Sequence, residues 1–341
     1  MSKKNKESNP MISVGGQALI EGIMMQGPKG AAMSVRLPDG TIETEELQVK
    51  HLRDKFKPAG LPIIRGIVNM VESLLFGFKC MEKSAEKIGL DDDSDPEKMS
   101  KLDKWISDHF GPKMMAVITG ISMVLGVALA FGLFFYLPMF LVEDIIGKYL
   151  ITAEFFPRLY PLLEGILRMI IFVAYIWIVS RVPDIKRVFM YHGAEHKSIF
   201  CYEAGLPLTV ENVRKQKRFH PRCGTSFIFV ILIISILISS TVVVLFPVLV
   251  VNEDYKLIWM AIKLAIVPLT VGVGYEFIKY AGKHDNVFVK ILAAPGLWMQ
   301  RLTTNEPTDD IIEVGIESLK AVLTDEDKAN EPTDESEENN N

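Results

Sequence analysis

The stretch SFIFVILIISILISSTVVVLFPVLVV, residues 226–251, carries no charged side chain. A helix needs about 20 such residues to cross the hydrocarbon core of a bilayer, so this one is long enough to span. Three further blocks read the same way. Residues 114–142 (MMAVITGISMVLGVALAFGLFFYLPMFLV) are also uncharged. Residues 162–180 bear only Glu164 and Arg168, near one end. Residues 257–280 bear Lys263, Glu276 and Lys279 toward their ends, where long side chains reach headgroups or a polar cavity. The expected fold is mainly α and integral to a membrane. It is a four-helix transmembrane bundle with a small cytoplasmic N-terminal region that holds a β-hairpin and an amphipathic helix.

The loops between these blocks orient the chain. Residues 181–225 hold nine Lys/Arg against four acids, whereas 143–161 holds two against three and 252–256 one against two. The positive-inside rule places 181–225 and both termini in the cytoplasm, which agrees with an even number of spans. The expected location is the cell membrane, with multiple passes. By length alone 341 residues would make two or three soluble domains, but the 49% apolar residues are gathered into the four blocks. The net charge of −5 is dominated by residues 325–341, with eight acids and one lysine and no apolar pattern. That segment reads as a disordered tail, as do residues 1–10. Three cysteines give no disulfide framework and fit a reducing compartment. No secretory signal is expected.

The remaining segments flank the membrane domain, residues 113–305. Residues 11–60 read as a small β-containing segment, because a Pro-Asp-Gly turn divides alternating runs over 33–49. Residues 61–112 read as amphipathic helices on the inner membrane surface. Ile64, Ile67, Val71, Leu74 and Phe78 make one apolar stripe, and Arg65, Asn69 and Glu72 lie opposite. Whether residues 61–81 span or lie on the bilayer is left open, although mid-helix charges disfavour a span. A cytoplasmic helix is expected within 306–324.

The chemistry lies in the loop just before residue 226. Pro183 opens and Gly205 with Pro207 closes a helix holding YHGAEHKSIFCYE, residues 191–203. Advancing 100° per residue, His196 falls about 40°, Glu203 about 20° and Glu195 about −60° from His192, so all four share one stripe. Two imidazoles at i and i+4 with carboxylates beside them suit a divalent metal, most naturally zinc. The pentad also fits H-x-x-E-H, in which the histidines bind zinc and the glutamate acts as general base. Residues 219–226 (FHPRCGTS) add His220 and Cys223 three apart, a second chelating pair. The metal-ligand candidates are thus His192, His196, His220, Cys223 and Glu203, with Glu195 as the catalytic base. The plain alternative for the helix is a solvated inter-span loop. For His220 and Cys223 it is a turn with a buried thiol.

The basic run Arg214, Lys215, Lys217, Arg218 and Arg222 adjoins a span and points to anionic headgroups or an anionic, lipid-linked substrate rather than nucleic acid. Gln17 and Glu21 sit in a glycine-bracketed turn able to fold over the site, and with Glu276 and Arg222 they are the substrate-contact candidates. A homo-oligomer is compatible with this reading.

Four stretches carry a family resemblance: GGQALIEGIMMQGP (15–28), YHGAEHKSIFCYE (191–203), HPRCGTSF (220–227) and PGLWMQRLTTNEP (295–307). On these the chain resembles the YqhQ-like family of bacterial multi-pass membrane proteins. The resemblance implies a bacterial membrane and a metal-dependent enzyme of unassigned reaction, and it agrees with the ligand set above. Two functions follow as expectations. One is a membrane-embedded, metal-dependent hydrolase with its site at the cytoplasmic face. The other is a non-catalytic scaffold, partner-binding subunit or transporter with a structural zinc.

Overall fold

The computed structural model describes residues 14–49, 52, 56–89, 117, 120–122, 124–150, 156–221, 223–281, 284 and 286–324. The two terminal segments read as disordered, residues 90–112 and Arg222 lie outside these. The described residues are mostly helical, with one small antiparallel sheet near the N-terminus.

That sheet is a four-stranded meander in the order β1 (Gly15–Leu19), β2 (Gly22–Gly27), β3 (Gly30–Arg36) and β4 (Ile42–Leu47). The β3–β4 hairpin forms where the Pro-Asp-Gly turn placed it. Gly40 there has φ +89°, and the Asp39 carboxylate accepts the Thr41 N–H at 2.9 Å. The first two strands are an addition to the sequence expectation, which gave only one hairpin. Their sequence lacks polar alternation because the sheet is covered on both faces. Met24, Met33 and Val35 pack with Cys80 of helix α1 (Ile64–Lys87). Ile23, Met25 and Ala32 point the other way, into a core shared with α4 (Pro183–Glu203) and α9 (Asp309–Val322). The result is a three-layer module assembled from segments far apart in the chain. Lys83 and Lys87 of α1 pair with Glu45 and Glu43 of β4 along its edge.

Among the described residues, four helices are long and apolar enough to cross a membrane. They are α2 (Gly120–Lys148), the span Phe156–Val179 containing α3 (Tyr160–Val179), the segment Phe227–Leu245 of α6 (Gly224–Leu245), and α7 (Lys256–Ala281). The third stops short of the expected residue 251 because Pro247 ends it, leaving a separate turn at Val248–Val251. In α2 the coil widens on both sides of Pro138. Proline cannot donate to the carbonyl one turn back, that of Phe134. Arg168 of α3 donates to that oxygen instead, Nε to O 2.7 Å. Two shorter helices complete the chain: α5 (Val210–Arg214), capped by Thr209, and α8 (Val287–Thr303), capped by Asn286.

Helix α1 joins the two parts. Its far end packs on the sheet, and its start crosses α7 where Gly66 meets Gly272. A Cβ on Gly66 would lie 2.7 Å from the Tyr275 Cβ and 3.0 Å from the Gly272 backbone. The carboxylate of Glu276 is held beside this crossing by Arg65, whose Nε donates to it at 2.6 Å. The crossing therefore has no room to open without breaking that pair. A Gly66→Val protein is expected to lose about 1–3 kcal/mol, the usual cost of overpacking. Thermal unfolding in detergent should show the drop, and an unchanged Tm would mean that α1 and α7 are not in contact.

Candidate metal centre

Helix α4 begins with Pro183 at its first position, where the missing N–H costs nothing, and ends before Gly205, whose φ is +66°. Its middle turns are enclosed: Tyr191, Ala194, Glu195, His196, Ser198 and Cys201 are all buried. Gly193 makes this possible, because a Cβ there would collide with the Asn305 carbonyl. The chain after α8 can thus lie against α4, and the Asn305 N–H bonds the Phe189 carbonyl at 2.8 Å.

Two consequences of that approach fix the histidines. The Nδ1 of His192 lies 2.8 Å from the Thr303 carbonyl, and the Nδ1 of His196 lies 2.5 Å from the Arg218 carbonyl. A carbonyl only accepts, so each Nδ1 carries the proton and each Nε2 presents its lone pair. This is the arrangement of metal-binding imidazoles, oriented through the second nitrogen. Both lone pairs face Cys223, which precedes α6. His192 Nε2 is 3.2 Å from its sulfur, and one ligand atom each from His192, His196 and Cys223 lie within 4.8 Å of one another. The Nε2 of His196 is buried with the Cys223 sulfur as its polar neighbour, a weak partner that a metal ion would better. Burial also holds the His196 pKa below the ordinary histidine value, against the opposing influence of Cys223, so the ring is neutral and ready to ligate. Two imidazoles and a thiol of this spacing fit a zinc ion.

The other predicted residues fall around this group. His220 is buried one ring further on, its centroid 5.7 Å from that of His196, and its Nε2 lies 3.5 Å from Glu203. These two form a neighbouring pair outside the three-residue group. Glu195 is 5% exposed, and Gly16 of β1 donates its N–H to the carboxylate. Burial raises the Glu195 pKa, while His192, His220 and the Gly16 N–H pull it back. The glycine-bracketed N-terminal stretch does lie over the site, but through Gly16. Gln17 turns instead toward Gly77 of α1.

Glu21 accepts both Arg187 nitrogens and the Tyr191 hydroxyl, the last at 3.0 Å, so it anchors the β1–β2 turn to α4. Glu276 is held by Arg65, as described. Three members of the basic run are answered within the chain: Arg214 pairs with Asp309, Lys215 with Glu211 and Arg218 with Glu306. Several contributors went unread in the sequence. Gln300 clamps the His220 backbone from both sides, accepting its N–H and donating to its carbonyl, each at 2.7 Å. Lys197 is buried against the Arg214 carbonyl and Glu306. The stretch 295–307 had been singled out, but no local pattern in it announces a backbone clamp or a histidine-orienting carbonyl.

Comparison with known proteins places the chain without assigning an activity. No solved structure matches it. The uncharacterized protein YqhQ of Bacillus subtilis (strain 168) is 36% identical over 311 residues, covering 91% of this chain and 92% of that protein. A family model described as a protein of unknown function (DUF1385) matches residues 61–325. By the span of that match and the identity to YqhQ, the chain belongs to this family of uncharacterized proteins.

Proposed function

We propose that the chain is a membrane-embedded, metal-dependent enzyme, in reaction class a hydrolase, with its site on the cytoplasmic face of the cell membrane. The observation that carries this is the pair of backbone-anchored imidazoles aimed at Cys223, with a buried carboxyl beside them. His192, His196 and Cys223 would hold a divalent ion, most naturally zinc, which supplies Lewis acidity when bound. Three protein ligands are the number at which catalytic zinc sites leave a position open. Glu195 accepts a proton as general base. The Gly16 N–H orients its carboxylate, and burial keeps its basicity above that of a free carboxylate. An anionic or lipid-linked substrate suits a site beside four apolar helices, and the excess of Lys/Arg over 181–225 supports the cytoplasmic orientation.

A second reading rests on burial. His220 is 3% exposed and one ring away from His196. A shift of that ring would close the site with a fourth ligand, giving a structural zinc in a scaffold, partner-binding subunit or transporter.

Elemental analysis of detergent-purified protein should find about one zinc or other transition metal per chain, lost in a His192→Ala/His196→Ala protein. No metal in the wild type, purified without chelators, would remove the proposal. With cobalt in place of zinc, acetohydroxamate should perturb the visible spectrum, and His220→Ala should retain the metal. A spectrum indifferent to the hydroxamate, with metal lost in His220→Ala, establishes the structural reading instead.

Glu195→Gln should keep its metal and lower metal-dependent turnover of chromogenic esters and phosphoesters by about 10²–10⁴-fold, the usual worth of a general base. Full activity in that variant would take the role away from Glu195.

A further inference from the structure

The bundle contains a half-open space of its own, apart from the metal centre. A cavity of about 250 Å³ lies between α2, α3, α6 and α7. Its lining changes character along the helix axes. Helix α3 runs toward the sheet module and α6 runs away from it, so their residue numbers measure depth in opposite senses. The end far from the module is polar, lined by Glu164, Arg168, Ser239 and Lys263. The end near the module is lined by Phe172, Ile228 and Leu232 and is apolar apart from Thr270, whose hydroxyl donates to the Val267 carbonyl. From Ile228 to Ser239 the rise of α6 is about 16 Å, so the space is drawn out along the bundle.

The charges at the polar end are unequally answered. Lys263 donates to both oxygens of Glu164, at 2.8 and 2.7 Å, and sits 3.3 Å from Glu143. Both carboxylates are therefore engaged by one ammonium. Arg168 spends its Nε on the Phe134 carbonyl, and its guanidinium lies 5.0 Å from the centre of the Phe135 ring. Among the described residues no carboxylate reaches ion-pair distance of it, although that of Glu164, one turn earlier on α3, acts on it from farther away. A guanidinium lining an apolar cavity, its terminal nitrogens in a fixed fork, is built to meet a phosphate or carboxylate. Ionisable groups inside such helices mark sites of function more often than of stability.

We propose that this cavity binds one anionic amphiphile, its phosphate or carboxylate on Arg168 and its hydrocarbon chain directed toward Ile228. Charge complementarity sets the head at Arg168, and the apolar end admits the chain. The proposal stands independently of the metal centre, since none of its residues contributes to that site.

Photo-crosslinking of the full-length protein in nonionic detergent tests it. The probes are three diazirine-bearing chains: palmitate, lysophosphatidate and a neutral monoacylglycerol. The anionic probes should label peptides covering residues 161–172 and 228–239, and the neutral one about 10-fold less, the worth of one charge-assisted hydrogen bond. Labelling by palmitate alone identifies a fatty acid as occupant, and labelling by lysophosphatidate alone a phospholipid. Arg168→Gln should bring anionic labelling down to the neutral level. Leu232→Trp, which fills the apolar end, should abolish labelling by all three. Arg181→Gln, outside the cavity, should change nothing. Equal labelling by charged and neutral probes in the wild type overturns the proposal, and needs no variant to fold. Undiminished labelling in well-folded Arg168→Gln and Leu232→Trp proteins overturns it as well.

Discussion

Two hydrogen bonds to backbone carbonyls govern this molecule: Thr303 to His192 and Arg218 to His196. An imidazole free to rotate on a helix would present either nitrogen to its surroundings. Anchored through Nδ1 to carbonyls that are themselves fixed, each ring can offer only Nε2. The two carbonyls come from opposite flanks of α6, one from the loop before Cys223 and one from the end of α8. Both must be in place before the sulfur and the two nitrogens share a point. Gly193 admits the segment carrying one carbonyl, and Gln300 grips the backbone between the other carbonyl and Cys223. The geometry of the site is thus written in main-chain atoms, which side-chain substitution elsewhere moves little.

The three-layer module exists to hold α4 in that setting. One face of the sheet and the whole of α9 pack on the same helix that carries the histidines, so the site shares their core. The ion pairs follow the same logic. Arg187–Glu21 ties the first hairpin to α4, and Lys197–Glu306 ties the chain after α8 to it. Arg214–Asp309 lies at the solvent edge, where water screens the pair and it adds little. The Lys197 pair differs, because the lysine side chain is 4% exposed and removing Glu306 would leave a charge inside.

What the sequence made legible divides along the range of the interaction. Periodicity put His192, Glu195 and His196 on one face of a helix, and that helix forms within a residue of where Pro183 and Gly205 placed it. Uncharged length gave the four apolar helices, and a Pro-Asp-Gly turn gave one hairpin. These are local signals. The choice among His220, Cys223 and Glu203 was not legible, because a spacing of three says that two groups can chelate and not which way each turns. The sequence reads Glu21 as a substrate contact from its glycine-bracketed turn, and Glu276 as one because an acid in an apolar span is costly to leave unpaired. The carboxylates meet Arg187 and Arg65, each more than 150 residues away in the chain, which no local pattern announces. The first two strands were hidden for the opposite reason. Met24 and Met25 are buried on opposite faces, so the alternation that announces a strand was absent.

The two polar places in the apolar half of the chain call for different explanations. At the module end the chain encloses imidazoles and a thiol, side chains whose uncharged forms cost far less to bury than an ion. At the far end the chain encloses full charges, with Lys263 and Glu164 10% and 3% exposed. A buried ion pair of this kind is commonly matched or bettered by apolar side chains of the same volume. Stability therefore gives no reason for charges where Leu or Phe would serve, and the freed carbonyl above Pro138 accounts for only one of the five donors on Arg168. The remaining donors border a cavity whose polarity falls from one end to the other. Structural economy predicts the reverse, a cavity filled and a charge removed, so the arrangement is explained by what occupies it rather than by what it holds together.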